Sequence, residues 1–425
     1  MKKTAKILLT LLLISFVSTT FACIPYAKAA TPADIEASIV KGLAWLALQQ
    51  SATDGSWGTG SYYARVAYTG MAVLKFETRA VELNKDPLDP SYEYYAQVRN
   101  GLDFIFSMAL VEDIIVQAHG NPDSNGNGKG VTFNTEGLEG ETYATGIASM
   151  AIAASTHPDM TVSVAGSPVD GWKYKDVEQD VVDWLCYGQN EESNPGDWWR
   201  GGWGYEANEI GWSDNSNCGY AVLGLVYGQA PLPHGFGLTI PQFVKDELNI
   251  WINYIQNPID GDEYDGGSGY ESPNDWVNIL KTGTLLQEMA FVGDTLATPR
   301  VDEAIKYIER HWNDLNADPG WKWNAPAQVH KQAMYTTMKG FEAFNIKLID
   351  TDGGGIRDDD WYNEFADDLL AEQAAFPEGH WNTDWWTGEY AMATCWALLI
   401  LEKAAPPVAK YDLTVHVVDD TTSRL

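Results

Sequence analysis

The amino-acid sequence predicts an all-α protein, an (α/α)6 toroid in which six helical hairpins form a closed ring. Its 425 residues are 45% hydrophobic, which is enough for one large core. Six apolar helical segments recur at intervals of roughly 55 to 75 residues, and each has a Thr or Cys before a small residue. A more amphipathic helix precedes each of them, so the repeating unit is a pair of helices.

The six apolar segments are predicted to form the inner wall of the ring, because they are apolar on nearly every face. These inner segments begin at Tyr68, Ala144, Asn217, Lys281, Tyr335 and Ala393. The amphipathic helices keep a polar face and are predicted to lie outside. They begin near Ile35, Tyr95, Val177, Phe243, Val301 and Trp361. An open array would need capping repeats, and the sequence shows none, which favours a closed ring.

The loop after the first outer helix carries a family resemblance. The stretch KGLAWLALQQSATDGSW, residues 41–57, ends a helix with glutamine, turns at Gly55 and places Trp57 after the turn. It resembles the QW motif of the terpenoid-cyclase and protein-prenyltransferase repeat superfamily, which includes squalene-hopene cyclase-like proteins. The resemblance implies that Gln50 caps the outer helix, that Gly55 permits the tight backbone and that Trp57 stacks over the turn. Related segments begin at Tyr187, Tyr254 and Leu370. In the second repeat the glutamine is displaced, and the fifth repeat lacks it.

The N-terminal residues have the pattern of an export signal. A basic start (MKK) and a short apolar run lead to the small-x-small site Ala27-Lys28-Ala29. Residues 1–29 are therefore predicted to be a cleaved signal peptide. The alternative is a lipoprotein anchor at Cys23, which fits less well because Thr20 stands where leucine is usual. We expect the protein to be secreted or held at the cell surface.

The resemblance covers roughly residues 35–404, so residues 30–404 are predicted to form the toroid domain. Residues 405–425 combine a Pro-rich linker with one alternating, β-branched segment. One strand is not stable alone, so this segment is predicted to begin a β module. Such a module would suit attachment to the cell surface.

The composition excludes one class of partner. Acidic residues outnumber basic residues by 59 to 27, and the formal net charge is -32. This field repels nucleic acid and anionic lipid, so neither is an expected partner.

The resemblance implies two chemistries, and the sequence departs from both. Squalene-cyclase-like enzymes protonate an alkene with a DxDD segment, and DGDE at Asp260 and DTDG at Asp350 fall short of it. Protein prenyltransferases hold zinc with an Asp-x-Cys pair and a histidine. The set Asp214, Cys218 and His330 has a different Asp-to-Cys spacing, so no zinc is expected.

Residues one helical turn before each shared Thr or Cys are predicted to line the central cavity. These residues are Arg65, Glu141, Asp214, Asn278, Gln332 and Tyr390. Further ligand-binding residues expected nearby are Lys281, His330, Asp384, Trp385 and Trp386. Glu141 and Asp214 come from adjacent repeats and are the candidate catalytic acid and base. The alternative interpretation is structural, with Asp214 as a helix N-cap.

Two Gly- and Asp-rich loops predict calcium. DTDGGGIRDDD alternates carboxylates with glycines, and Asp350, Asp352 and Asp358 are the expected ligands. DSNGNGK, from Asp123, resembles the first half of an EF-hand loop, but Asn134 stands at its twelfth position instead of glutamate. The alternative for both loops is a polar, Gly-rich turn.

The sequence leaves two functions open. The first is an exported protein that binds an apolar or glycan ligand in the central cavity, with no catalytic signature to indicate turnover. The second is an enzyme that uses the same cavity. It would be isoprenoid cyclase-like, or a polysaccharide lyase or hydrolase with Glu141 and Asp214 as acid and base. A closed aromatic pocket would favour an isoprenoid, an open groove with paired acids would favour glycan chemistry, and a filled cavity would favour binding.

Overall fold

The computed structural model describes residues 29–59, 65–137, 140–315, 318–322, 328–383 and 388–403. Within these ranges there are twelve α-helices and two short antiparallel strand pairs, so the all-α prediction is confirmed. The predicted leader up to residue 28 and the predicted β module lie outside the described residues. Over the ranges that are described, no helix combines the length and the apolar content needed to span a bilayer.

The helices form six consecutive pairs, which we call repeats one to six. The first helices of the pairs are α1 (Pro32–Leu48), α3 (Tyr95–Ser107), α5 (Tyr174–Gly188), α7 (Gln242–Ile255), α9 (Pro299–His311) and α11 (Trp361–Gln373). The second helices are α2 (Arg65–Glu82), α4 (Glu141–Ala154), α6 (Asn215–Gln229), α8 (Ile279–Val292), α10 (Lys331–Ala343) and α12 (Tyr390–Leu401). The strand pairs are β1 (Ala109–Asp113) with β2 (Lys129–Phe133), and β3 (Leu348–Ile349) with β4 (Asp359–Asp360).

Burial separates the two kinds of helix as predicted. Every residue from Thr142 to Ala154 in α4 is buried, and so is every residue from Ala391 to Leu401 in α12. In α9 the buried residues are Val301, Ala304, Ile305, Tyr307 and Ile308. That spacing gives one apolar stripe, which suits a helix with one face in solvent. The second helix of each pair is therefore the inner one.

The inner helices contact one another in series, because glycine lets their backbones approach closely. The contacting pairs are α2–α4, α4–α6, α6–α8, α8–α10 and α10–α12, and α12 also contacts α2. A Cβ atom added at Gly146 of α4 would lie 2.2 Å from the carbonyl oxygen of Tyr220 on α6. One added at Gly283 of α8 would lie 2.6 Å from the backbone nitrogen of Thr337 on α10. Any larger residue at either position would force these neighbours apart.

The loop of repeat one shows what the glutamine and the tryptophan do. The side-chain amide of Gln50 donates to the carbonyl of Gly55 at 2.9 Å and to that of Gln97, in the first turn of α3, at 3.0 Å. The indole N–H of Trp57 donates to the carbonyl of Leu46 at 2.8 Å. The expectation that Gln50 caps its own helix is therefore wrong. Its amide joins the loop to the next outer helix, because that helix has a carbonyl within reach.

The same glutamine bridge recurs in repeats three, four and six. Each glutamine amide donates to a loop glycine and to a carbonyl of the following outer helix. The sets are Gln189 with Gly201 and Val244, Gln256 with Gly266 and Arg300, and Gln373 with Gly379 and Ser38. The last set joins the end of α11 to α1. The bridge is thus a repeated structural device, and it uses the side-chain N–H groups of its glutamines within the protein.

Candidate functional site

The first turns of the inner helices, together with the loops before them, form what we call the N-terminal face. All six residues predicted one turn before the shared Thr or Cys lie there. Arg65, Glu141 and Tyr390 begin α2, α4 and α12, Asp214 and Asn278 are the N-caps of α6 and α8, and Gln332 is the second residue of α10. The inner helices therefore begin two to four residues before the apolar segments predicted from the sequence.

Loops of successive repeats hold this face together. The backbone N–H of Thr142 in α4 donates to the carbonyl of Tyr205, in the loop before α6, at 3.1 Å. The N–H of Asn215 in α6 donates to the carbonyl of Tyr270, in the loop before α8, at 2.9 Å. The first N–H groups of a helix lack partners within the helix, so each loop caps the inner helix of the repeat before it. The predicted site residues are thereby fixed on neighbouring helix ends.

Asp214 has a structural role that fits the alternative interpretation. Its Oδ1 accepts hydrogen bonds from the backbone N–H groups of Ser216 and Asn217, both at 2.9 Å. Its Oδ2 accepts from the side-chain amide of Asn217 at 2.7 Å and from the indole of Trp212 at 3.1 Å. Both oxygens of this carboxylate are engaged in capping the helix and its flanking loop, so Asp214 is a weak candidate for a catalytic base.

Glu141 has the opposite environment. It is the first residue of α4, and the structure leaves its side chain half-buried. Burial raises the pKa of its carboxyl to about 7, the negative charge of Glu112 on β1 adds to this, and a hydrogen bond with Thr132 on β2 opposes it. Near neutral pH the group is therefore able to donate or accept a proton.

Lys281 is a buried amine in the first turn of α8, and only 3% of it is exposed. Its Nζ lies 3.8 Å from the ring centroid of Trp276 and 5.9 Å from that of Tyr270. Among the residues that the structure describes, no carboxylate oxygen lies within 4.0 Å of this ammonium. Burial lowers its pKa to about 7, although the charges of Asp318, Asp275 and Asp214 act in the other direction. The aromatic faces are the closest stabilising groups for its charge.

Two tyrosines connect the surroundings of Glu141 with those of Lys281. The hydroxyl groups of Tyr205 and Tyr270 lie 3.0 Å apart. Tyr270 also makes an edge contact with Trp276, with the ring centroids 5.8 Å apart. Trp276 is 46% exposed, and its indole donates to Asp318 at 2.6 Å. We call Tyr205, Tyr270, Trp276 and Lys281 the aromatic cluster. Sequence reasoning identified Lys281 alone, because the other three lie in loops outside the helical repeat.

The remaining predicted residues are distributed around the same face. Arg65 is neutralised, since its guanidinium contacts Asp54 and Glu136, each at 2.5 Å. His330 is the N-cap of α10, and its ring accepts from the N–H of Ala333. Asn278 accepts from the N–H of Lys281, and its amide donates to Asp318 at 3.1 Å. These contacts make three of the predicted ligand-binding residues part of the framework.

The other predicted ligand-binding residues that the structure describes, apart from Lys281, are Tyr390 and Gln332, and they differ in exposure. Tyr390 is 44% exposed, and its ring centroid lies 4.6 Å from that of His380. Gln332 is buried. Asp384, Trp385 and Trp386 lie outside the described residues.

The interior of the bundle holds a polar contact that sequence reasoning missed. The ammonium of Lys339 on α10 donates to the hydroxyl of Tyr227 on α6 at 2.7 Å, and both residues are buried. These helices are not consecutive inner helices, because α8 lies between them in the series of contacts. Burial lowers the pKa of Lys339 to about 7. The one sequence signal was a lysine inside an otherwise apolar segment, YTTMKGF.

The predicted calcium ligands are not gathered into one group. Asp350 accepts from the backbone N–H groups of Gly353, Gly354 and Gly355, and Asp358 is exposed. Within the described ranges, the one set of three His, Cys, Asp or Glu residues with ligand atoms within 4.8 Å of one another is Asp260, Asp262 and Asp265. The DTDGGGIRDDD loop therefore has the geometry of a polar glycine turn, and calcium binding there stays a prediction.

The loop that begins at Asp123 is folded against α5. Asp123 accepts from the N–H groups of Gly126 and Gly128, at 2.7 and 2.9 Å. The side-chain amides of Asn125 and Asn127 contact the carboxylate of Asp180. These contacts anchor the loop to α5, and calcium binding there stays a prediction.

Comparisons with known proteins add no family assignment. No model of a protein family matches the chain, and no curated protein matches it.

Proposed function

We propose that the protein is an exported glycan-binding protein whose ligand lies on the N-terminal face of a closed (α/α)6 toroid of the terpenoid-cyclase and prenyltransferase type. Closure is supported by the contacts of α12 with α2 and of α11 with α1. The amide of Gln373 donates to the carbonyl of Ser38 at 3.1 Å, which repeats between the last and first repeats the bond made elsewhere. The N–H of Thr59, before α2, also donates to Glu389, the N-cap of α12, at 3.3 Å.

The aromatic cluster is the observation that carries the proposal. Trp276 presents a half-exposed ring beside the Tyr205–Tyr270 hydroxyl pair and the Lys281 ammonium. A sugar ring has C–H groups that pack on an aromatic face and hydroxyl groups that need hydrogen-bond partners at its edge. Binding sites that combine an apolar surface with a few fixed polar groups meet both needs. The cluster supplies this combination at the mouth of the proposed ring.

The interior favours a glycan over an isoprenoid. An isoprenoid needs a deep apolar pocket that excludes water. The Lys339–Tyr227 contact is a buried polar pair between the inner helices α10 and α6, and burying an apolar chain against an amine gains little. A ligand that stays at the N-terminal face avoids this cost.

A second candidate function is favoured by Glu141. A carboxyl with a pKa of about 7 suits general-acid catalysis, such as protonation of a glycosidic oxygen. The protein would then be a polysaccharide lyase or hydrolase. Asp214 is held by N-cap bonds, so a partner for Glu141 would have to come from elsewhere on the face.

The experiment that tests binding uses the purified exported protein on an array of oligosaccharides, with mass spectrometry of copurifying ligands alongside. We expect Trp276→Leu to weaken binding of the best oligosaccharide by about fivefold, because loss of an aromatic contact costs roughly 1 kcal/mol. The matched control is Trp276→Phe, which keeps an aromatic face and should change affinity less. A copurifying isoprenoid without any glycan binding would contradict the proposal.

The same oligosaccharides distinguish binding from catalysis. If the second candidate is correct, the wild-type protein releases shorter products and Glu141→Gln does not, while both bind the substrate. Asp214→Asn serves as the structural comparison, since its loss is expected to affect stability first. Binding without product release would leave the binding function and exclude catalysis on these substrates.

A further inference from the structure

The backbone nitrogen of Ala30 contacts a carboxylate near the other end of the described chain. Its N–H donates to Oδ1 of Asp367 at 2.5 Å, across a sequence separation of 337 residues. Asp367 lies in the middle of α11, and both residues are half-buried. They line a groove of about 490 Å³ between α1 and α11, where Ser38, Lys41 and Gln373 also lie.

Ala30 is also the residue that follows the predicted export signal. The site Ala27-Lys28-Ala29 places the cut between Ala29 and Ala30. A signal peptidase would hydrolyse this peptide bond with one water molecule, leaving the carboxylate on Ala29 and the amine on Ala30. An α-amino group has a pKa of about 7.7–8.0, so the new amine takes up a proton and is largely charged at neutral pH.

We propose that Asp367 binds the α-ammonium group that signal cleavage creates at Ala30, so that processing adds an ion pair between α1 and α11. Before cleavage the Ala30 nitrogen is a neutral amide with one N–H. After cleavage it carries a positive charge and three N–H groups at the same position. The proposal rests on the predicted export signal, and it is independent of the ligand that the N-terminal face binds.

The surroundings leave Asp367 available for this role. The carboxylate of Asp34 is occupied in the capping box of α1, where its Oδ2 accepts from the hydroxyl and the N–H of Thr31 at 2.6 and 3.1 Å. Lys41 donates to the carbonyl of Phe376 at 3.2 Å. Over the described part of the chain, no Lys, Arg or His nitrogen lies within 4.0 Å of Asp367. The hydrogen bond from the Ala30 N–H therefore places that nitrogen, and any charge it carries, directly beside this carboxylate.

Electrostatics explain why such a partner is needed. The N-terminus of a helix carries a partial positive charge, so an ammonium group beside the start of α1 is unfavourable by itself. A carboxylate from α11 compensates both charges. The pair lies beside the Gln373–Ser38 bridge, where repeat six contacts repeat one. Maturation would therefore strengthen the contact between the first and last repeats.

The test compares two N-termini on the chain that starts at residue 30. One protein begins with a free Ala30, made by cleaving a fusion that leaves no extra residue. The other carries Gly-Gly before Ala30, which keeps the amide N–H but moves the charge away. We expect the free form to melt about 1–2 °C higher, as a partly exposed ion pair in a protein of this size predicts. We also expect stronger protection of the residue 31–38 amides in hydrogen exchange.

Substitution of the acid identifies the partner. Asp367→Asn should remove the difference between the two N-termini, whereas the control Glu378→Gln, which removes one exposed charge, should keep it. The wild-type comparison needs no substitution, so it decides the question even if Asp367→Asn folds poorly. Equal melting and equal exchange of the two forms would overturn the proposal, and so would an exported protein whose N-terminus is not Ala30.

Discussion

Over the described residues, repeats one, three, four and six contain the glutamine bridge, whereas repeats two and five do not. In repeat two the hairpin of β1 and β2 replaces the short loop, and the hydroxyls of Thr132 and Thr145 lie 2.8 Å apart. In repeat one the corresponding threonine, Thr69, accepts from the N–H of Trp57 at 2.9 Å. In repeat five the amide of Asn313 donates to the carbonyl of Thr351, in the loop before α11, at 2.7 Å.

The candidate chemistry lies where the repeat is altered. The hairpin of repeat two supplies Glu112 and Thr132, the two groups on that hairpin that set the pKa of Glu141. Repeat four keeps the bridge of Gln256, but its loop has Ser268 where other loops have tryptophan. The backbone N–H of Ser268 donates to the hydroxyl of Thr282 at 3.0 Å. The same loop carries Tyr270 and Trp276. Regular repeats therefore supply most of the framework, and departures from the repeat supply Trp276, Tyr270 and the surroundings of Glu141 in the candidate site.

The largest expected loss of stability is at a buried tryptophan in a regular repeat. Trp203 is fully buried, and its indole donates to the carbonyl of Leu185 at 2.8 Å. We expect Trp203→Ala to destabilise the protein by about 3–5 kcal/mol, because it leaves a cavity and an unpaired carbonyl. Urea unfolding measures this. The control Trp276→Leu, on the exposed cluster, should cost far less, and equal losses would contradict the distinction.

The next largest loss of stability is expected when the glutamine of a regular repeat is removed, compared with a glutamine of repeat two. Gln189 in repeat three makes two buried bonds, to Gly201 at 2.9 Å and to Val244 at 3.0 Å. Removing them by Gln189→Leu should cost about 2 kcal/mol, since two buried carbonyls lose a donor. Gln117 in repeat two is half-buried, and Gln117→Leu should cost less. The melting temperatures of the two variants measure this difference. A larger decrease for Gln117→Leu would contradict the expectation that the bridge stabilises the repeat more than Gln117 does.

A pH-dependent effect should follow from Glu141 in the altered repeat. Its pKa is raised from 4.5 to about 7 in the folded state, so folding favours the protonated form. The folded protein binds more protons than the unfolded chain between these values, and stability therefore falls as the pH rises through this window. Glu141→Gln should be more stable than wild type at pH 8 and equal to it below about pH 4.5. A constant difference across urea titrations would contradict the raised pKa.

The smallest effect is expected from calcium. If the loop of Asp350, Asp352 and Asp358 binds the ion, chelation should lower the melting temperature by about 1–2 °C, because weak binding to an exposed loop adds little stability. Asp350→Asn should remove that shift. The same variant also loses the acceptor for Gly353 and Gly355, so the measurement is the difference between melting with and without chelator. No shift in the wild type would remove the calcium prediction.

The sequence predicted the parts of the fold that depend on local pattern. The inner helices and their first turns follow from apolar periodicity and the Thr/Cys–small pairs, and the observed outer helices begin within three residues of the predicted starts. For residues near the helix starts, the sequence allowed two interpretations, helix caps or catalytic groups. The contacts of Asp214 fit a helix cap. These features involve residues close together in the chain, so a single sequence contains the information.

Contacts between distant residues were not predictable in this way. The partner of Gln50 is 47 residues away, and Lys339 and Tyr227 are 112 residues apart. The β1–β2 hairpin was not predicted, because ALVED and KGVTF are short and the segment between them is polar and Gly-rich. Assigning the aromatic cluster required the relative placement of two loops, which no periodicity specifies.

In the closed ring that we propose, flattening would be the easiest change of shape, because it needs only small rotations where neighbouring helices meet. The Lys339–Tyr227 contact joins α10 to α6, two helices with α8 between them, so flattening along that direction has to stretch a buried bond. The cross-section of the interior should therefore fluctuate little, even when the loops of the N-terminal face rearrange around a ligand.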